Sequence, residues 1–360
     1  MRPSWVEVDL DAIRHNVGAI SRLVAPAAFC AVVKADGYGH GDVPVAEAAL
    51  DAGASWLAVA TVTEGMRLRE AGIDAPVLLL SEATPADVPA IIHHHLTPTV
   101  YSTSFVDALA AAGTPLAVHI KLDTGMHRVG TDAKSAHELF ERVTAHPTLT
   151  VGGLWTHFPS AEDEPDFTSD QTKQLREFAA QHPGDHLVHA ANSAGALLHP
   201  DARFDMVRVG LVMYGCYPSP QCREVVDLRP AMRVVSEVVH LRRLPAGARP
   251  AYGRIRPLPR ESTVATVPIG YADGVTRRLA TVGGEVLIGG RRRPLAGVVT
   301  MDQIVVDMGD DPVSHGDEVV LLGTQGEAHI DADEWADRLG SVSWEILCTF
   351  GPRLPRRYRG

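Results

Sequence analysis

Between residues 30 and 208, eight short apolar runs alternate with amphipathic stretches, and few folds accommodate that pattern. The runs fall at 30–33, 56–60, 77–80, 96–99, 116–122, 151–156, 186–190 and 205–208. Helical spacing recurs between them, as in Val45, Ala46, Ala49 and Leu50, or Leu139, Phe140 and Val143. Parallel strands are covered on both faces, so they read as continuous apolar runs rather than alternating ones. Eight of them predict an α/β architecture, a closed (β/α)8 barrel of the TIM type. The competing open, doubly wound sheet carries a G-x-G-x-x-G turn after its first strand, and none is present.

Past residue 230 the texture changes to strand-like runs at hairpin spacing: 234–241, 263–268, 285–288, 298–300, 304–307 and 318–322. Turn signals such as Pro245-Ala246-Gly247, Gly289-Gly290 and Met308-Gly309-Asp310 separate them. We expect a C-terminal antiparallel β domain with one helix near 332–339. The basic run Arg291-Arg292-Arg293, ending in Pro294, reads as a solvated turn. The predicted division is a barrel over 1–230 and a β domain over 231–360, with the strand at about 4–9 open to pairing with the β domain.

A net charge of −11 gives no electrostatic support for nucleic-acid binding. Cys30, Cys216, Cys222 and Cys348 form no CxxC pair and no zinc spacing, and read as buried free thiols of a reducing compartment. His93-His94-His95 are adjacent, so they point in different directions and read as an exposed helix end rather than a metal site. No apolar run approaches membrane-span length and the first residues contain no apolar leader core. The expectation is a cytoplasmic protein with no metal, membrane or nucleic-acid partner.

Barrels place reactive groups at the C-terminal ends of their strands. Here those ends present Lys34, then Lys121 with Asp123 and Arg128, Thr156-His157, Asn192-Ser193-Ala194-Gly195, and Arg208 with Gly210. Lys34 sits in Val33-Lys34-Ala35-Asp36-Gly37-Tyr38-Gly39-His40-Gly41. Such a lysine is either a strand-end side chain with its head in water or a desolvated amine able to form a Schiff base. His157 alone reads equally as a satisfied core histidine, and Arg208 as a rim ion pair. The loops after strands seven and eight commonly bind phosphate, and here they are rich in small residues. A candidate Schiff-base lysine and a phosphate cradle in one barrel together suggest pyridoxal 5'-phosphate (PLP).

These motifs, together with Lys121-Leu122-Asp123-Thr124-Gly125-Met126, Met213-Tyr214-Gly215, Ala251-Tyr252-Gly253, Gly270-Tyr271-Ala272-Asp273-Gly274 and Met301-Asp302-Gln303, resemble the bacterial alanine racemases over nearly the whole chain. The resemblance implies a PLP barrel with a C-terminal β domain, in a homodimer whose active sites are shared between subunits. It implies two catalytic bases, Lys34 and the Tyr252 of the other subunit, interconverting L- and D-alanine to supply D-alanine for peptidoglycan. Tyr38, Ser193 and Gly210 would hold the phosphate; Arg208 would face the pyridine nitrogen, oriented by His157. Arg128 would bind the substrate carboxylate and Met301 would shape its site, with Lys121, Asp302 and Tyr271 in support. Lys121 is often carbamylated in that family.

The chain departs from the family near its end, where Pro352 stands at or near the position of a gate tyrosine. That leaves serine beside alanine as a substrate. A barrel-type PLP decarboxylase would normally direct a glutamate, not Arg208, at the pyridine nitrogen. A non-catalytic PLP carrier would lack the β domain with Tyr252 and Met301.

Overall fold

The structure, a computed structural model, describes residues 2–360. The described chain divides into two compact units, one of residues 11–37 and 41–229, the other of 2–10, 38–40 and 230–360.

The first unit is the barrel. After β1 (Ser4–Asp9), which belongs to the other unit, its parallel strands are β2 (Ala28–Val32), β3 (Trp56–Val59), β4 (Val77–Leu79), β5 (Thr99–Val100), β6 (Leu116–Lys121), β7 (Leu149–Trp155), β8 (Leu187–His189) and β9 (Met206–Val209). Two parallel ladders, β4-β3-β2-β9 and β5-β6-β7-β8, make up the wall. Thr97 joins them at one seam by bridging to Leu78, with its N–H donating to the Val77 carbonyl at 2.8 Å. At the other seam the N–H of Asp205 reaches the Val188 carbonyl at 3.0 Å, and that of Arg208 the Ala191 carbonyl at 2.9 Å. The barrel is closed. Leu57, Val77, Leu78, Ile120, Leu154 and Val207 are wholly buried, as expected for strands covered on both faces.

The second unit has a main sheet ordered β14-β13-β16-β10-β1-β18 and a three-stranded sheet β11-β12-β15. Its further strands are β10 (Met232–Glu237), β11 (His240–Leu244), β12 (Ser262–Val267), β13 (Glu285–Ile288), β14 (Arg291–Pro294), β15 (Ile304–Gly309), β16 (Glu318–Gln325), β17 (Ala328–Ile330) and β18 (Arg356–Arg359). β1 pairs antiparallel with β10, from Ser4↔Ser236 to Val8↔Met232, and parallel with β18, so the first strand of the chain lies inside this sheet, one strand in from its edge. Buried hydroxyls pin the register: Ser4 Oγ and Ser236 Oγ are 2.8 Å apart, one donating to the other, and each lies 2.9 Å from a carbonyl, of Pro268 and Pro3 respectively. β1 and β18 form the one parallel pair of an otherwise antiparallel sheet. The helix Ala332–Leu339 is present as expected, with Asp331 as its N-cap and Gly340 left-handed at its end.

Several expectations need correction. Residues 234–241 are two strands, because the chain leaves the main sheet at Val238 and enters the small one. Arg291–Arg293 is a strand rather than a turn. Gly289 and Gly290, at φ 63° and 72°, close a two-residue hairpin that carries the arginines along β13 as a charged edge. Carboxylates receive them there: Arg292 reaches Glu334 at 2.6 Å and Glu285 at 3.2 Å, and Arg293 pairs with Asp311. Residues 298–300 form no strand, since the Thr300 carbonyl accepts from Tyr271 N–H at 3.0 Å and the Thr300 N–H bonds to the Gln303 carbonyl. Cys348 is exposed; the other three cysteines are buried. The strand β18 and a short helix Ser343–Cys348 had no sequence signal that we read.

Candidate active site

Lys34 stands one residue beyond β2, after Val33, and opens a left-handed turn. Ala35, Asp36, Gly37 and Tyr38 have φ of 53°, 53°, 58° and 52°. A side chain in this region costs about 1 kcal/mol or more per residue, and three of these four carry one. Fixed bonds offset the strain. Glu64 accepts from the Ala35 N–H at 2.7 Å, and its other oxygen accepts from Ala60 and Thr61 at the start of the helix Val62–Glu70. The N–H of Gly37 returns to the Val33 carbonyl and that of Gly41 to the Asp36 carbonyl. The lysine therefore leaves the strand on a held, non-helical turn.

At the end of β6, Lys121 is almost wholly buried. Its Nζ lies 3.4 Å from the Leu80 carbonyl and 4.1 Å from the centre of the Trp155 ring. Burial, then the charges of Arg208, Arg128 and Lys34, push its ammonium down to about 7. Arg128 lies exposed on the turn beyond, where Asp123 accepts from the N–H groups of Gly125 and His127 at 3.1 and 3.0 Å.

Arg208, on β9 and 3% exposed, is the best-held side chain of the group. It donates to the carbonyls of Thr156 and Ala190 at 2.8 and 2.9 Å, to His189 Nδ1 at 2.8 Å and to His157 Nδ1 at 3.2 Å. All four acceptors are neutral, and burial draws the guanidinium down to about 10. His189 in turn meets His119, Nε2 to Nδ1, at 2.9 Å. Since arginine only donates, His189 Nδ1 accepts, its Nε2–H donates, and His119 Nδ1 accepts. Burial and then the charge of Arg208 hold all three histidines well below the usual imidazole range, His119 at about 3. Cys30 is buried nearby, and its thiol is pushed up to about 12, too high for a nucleophile.

After β8, Asn192 caps the short helix Ser193–Leu198 by accepting from Gly195 N–H at 2.9 Å. Ser193 Oγ accepts from Gly210 N–H at 3.1 Å, tying this loop to the one after β9. A short 3-10 turn, Leu211–Tyr214, starts immediately beyond Gly210. First-turn N–H groups lack partners within their own helix, so two small-residue loops present donors suited to an anion. The barrel thus brings together Lys34, Lys121, His157, Ser193, Arg208 and Gly210. Buried cations without a carboxylate on Arg208, beside these N–H groups, fit a phosphorylated, electron-poor cofactor such as PLP.

The remaining candidates belong to the β unit. Tyr38 is buried there, and burial raises its phenol, keeping it a proton donor. Tyr252 is 72% exposed, on a turn where Ala251, Gly253 and Arg254 all have positive φ. Met301 is 52% exposed, and its carbonyl accepts from Ala272 N–H at 3.1 Å. Gly270 underlies this contact: a Cβ would lie 2.3 Å from the Thr300 oxygen. Tyr271 is exposed beside it, while Asp302 bonds Arg353 at 2.6 Å. Pro352 is exposed in the turn closed by Leu354 N–H on the Gly351 carbonyl. Our sequence reading missed His119, His189, Trp155 and Glu64. The Gly152-Gly153 pair was an available signal for the first, because it vacates the space that the His119 ring fills.

Two family descriptions match the chain, "Alanine racemase, N-terminal domain" over residues 8–218 and "Alanine racemase, C-terminal domain" over 231–358. A protein of Nostoc sp. named alanine racemase is 42% identical over 98% of this chain and 95% of its own. Another from Symbiobacterium thermophilum is 43% identical, covering 100% and 98%. The crystal structure of alanine racemase from E. faecalis superposes with a TM-score of 0.95 at 36% identity, over 99% of this chain and 98% of that one.

Proposed function

Because this chain belongs to the alanine racemase family, we propose that its barrel and β unit interconvert L- and D-alanine with Lys34 and Tyr252 as the two proton-carrying groups. The activity is that of a PLP-dependent isomerase. D-alanine of this origin feeds peptidoglycan. Bound PLP supplies an electron sink that weakens the Cα–H bond of an amino acid joined to it.

The chain's own residues do the rest. Racemisation needs a proton removed from one face of Cα and another delivered to the opposite face. Lys34 Nζ would serve one face and the Tyr252 phenol of the partner subunit the other. Tyr38, Ser193 and the Gly210 backbone would hold the phosphate, Arg128 would take the substrate carboxylate, and Met301 of the partner subunit would narrow the site. Lys121 supports Arg128; Asp302 and Tyr271 support the Met301 turn through Arg353 and the backbone of 270–273.

The setting of Arg208 carries the reading. It is buried, faced only by neutral acceptors and unable to give up its proton at working pH. Directed at the ring nitrogen of bound PLP, it would offer only donors and would leave that nitrogen unprotonated and the electron sink weak. Weak stabilisation suits brief proton loss and return; decarboxylation and transamination need the stronger sink that a carboxylate partner creates. His157 orients Arg208 from one side.

We assign the barrel to residues 1–230 and the β domain to 231–360, with the strand Ser4–Asp9 contributed to the β sheet. A homodimer is supported by the large apolar side chains that the β unit exposes at Tyr252, Ile255, Tyr271 and Met301. Among the described residues no helix is long and apolar enough to cross a membrane, and we place the enzyme in the cytoplasm. Pro352 favours a wider gate, and serine as a second substrate beside alanine.

Incubation with L-alanine and with L-serine in deuterated water, followed by chiral analysis, tests this function. Deuterium at Cα of both alanine enantiomers is expected; carbon dioxide release, or no exchange, refutes it. Tyr252→Phe should lose proton delivery on one face only and keep cofactor binding.

A further inference from the structure

Trp155 has no part in the roles assigned above, yet it sits against the buried guanidinium of Arg208. It ends β7, is 1% exposed, and lies with Lys121 Nζ 4.1 Å and Arg208 Cζ 4.4 Å from its ring centre. His189 stacks on it at 5.5 Å between centroids, with only 11° between the planes. We propose that Trp155 is a positioning residue whose indole face holds the Arg208 guanidinium in place at the mouth of the barrel. The proposal rests on the reading of Arg208 as the partner of the cofactor's ring nitrogen.

The physical case starts from what surrounds Arg208. A buried cation is normally paired with an anion, because desolvating it alone is costly. Here its hydrogen bonds go to two carbonyls and two neutral imidazoles. An aromatic face attracts a cation through its quadrupole, tryptophan most strongly, and more so in a desolvated site. A ring also differs from a carboxylate in two useful ways. It adds no net charge, so the field at the strand ends stays positive, and it cannot carry a proton toward the ring nitrogen.

The fold accounts for the placement. Side chains alternate along a strand, so Gly153 and Trp155 share the inward face of β7. Gly153 leaves room for His119, which holds His189, which lies flat on Trp155. One ring therefore braces the cation and the histidine that accepts from it.

Core filling is the alternative role, and it predicts that ring size rather than π character matters. Trp155→Phe keeps a face, while Trp155→Met keeps volume without one. Three readouts separate them: titration of the apoprotein with PLP, the wavelength of the bound cofactor's visible band, and the pH dependence of kcat for L-alanine. Trp155→Met should weaken PLP binding about tenfold, move the visible band and shift the pH profile, and Trp155→Phe should recover most of each. Equal behaviour of the two variants, or an effect confined to the melting temperature, overturns the proposal. Should the methionine variant not fold, fluorinated tryptophans can replace all the tryptophans without changing shape. PLP affinity should then fall stepwise with each added fluorine, and not in a Trp155→Phe background; a flat series is a refutation. Because the PLP titration needs no turnover, a protein that binds PLP without racemising alanine would refute the proposed activity and leave this test standing.

Discussion

Gly153→Ala should be one of the most damaging small substitutions in the barrel, and His119→Ala should partly rescue it. An added Cβ at 153 would lie 2.5 Å from His119 Nδ1 and 2.6 Å from Cε1. Nδ1 is the atom that accepts from His189 at 2.9 Å, so the methyl group lands on the hydrogen bond itself. Overpacking of this kind costs about 1–3 kcal/mol, less roughly 0.5 kcal/mol that alanine returns by restricting the unfolded chain. His119→Ala alone should cost about 3 kcal/mol, combining a cavity with a buried His189 N–H left unmatched. In the double variant the new methyl group occupies space the imidazole has left. The two losses should then fall short of their sum by about 2 kcal/mol, a coupling expected only of residues in contact. Urea unfolding at pH 7.5 of the parent, both single variants and the double variant measures this directly. Strict additivity, or Gly153→Ala within 0.5 kcal/mol of the parent, would show that the strand moves aside and that Gly153 is not reserved for the histidine.

Acid should destabilise the fold steeply below pH 6. His119 and His189 have folded pKa values depressed below the unfolded value, so their contribution is intact above about 6.5 and is lost as pH falls and the unfolded chain takes up protons. Two such groups give about 3 kcal/mol per pH unit, and a urea midpoint that does not fall between pH 6.5 and 5 contradicts this. Arg292→Met should remove about 1 kcal/mol, because its pairs with Glu334 and Glu285 are only partly shielded; the loss should shrink in 0.5 M salt, and a salt-independent loss would mean packing instead. Ala35→Gly should raise stability by roughly 0.5 kcal/mol through relief of the left-handed conformation, while kcat falls as Lys34 gains freedom. An Ala35→Gly protein with lower stability would place the strain elsewhere.

What the sequence made legible follows from burial. Parallel strands buried on both faces cannot hide, so the barrel strands were located to within a few residues, and their ends led to Lys34, Lys121, His157 and Arg208. Trp155, His119 and His189 were hidden for the same reason, since a ring inside an apolar strand looks like core until its neighbours are known. The Arg291–Arg293 edge was misread because its charges suit water as well as they suit Glu285, Glu334 and Asp311, which arrive from other elements. Nor could sequence show that Ala35, Asp36 and Ala251 adopt conformations usually left to glycine. Only bonds such as that from Ala35 N–H to Glu64, 29 positions away, impose them.

The position of β1 between β10 and β18 in the β sheet has a consequence for the order of folding. Its register partner β10 lies 232 positions later at Ser4↔Ser236, and β18 later still. At about 5–20 residues per second, the ribosome needs roughly 10–50 s to deliver β10 after β1. The whole barrel is synthesised in that interval. Trp5, Val6 and Val8, buried in the finished protein, must wait as an unpaired apolar strand. The earliest strand made is thus among the last to find its place, and it is where a nascent chain of this kind most needs a chaperone.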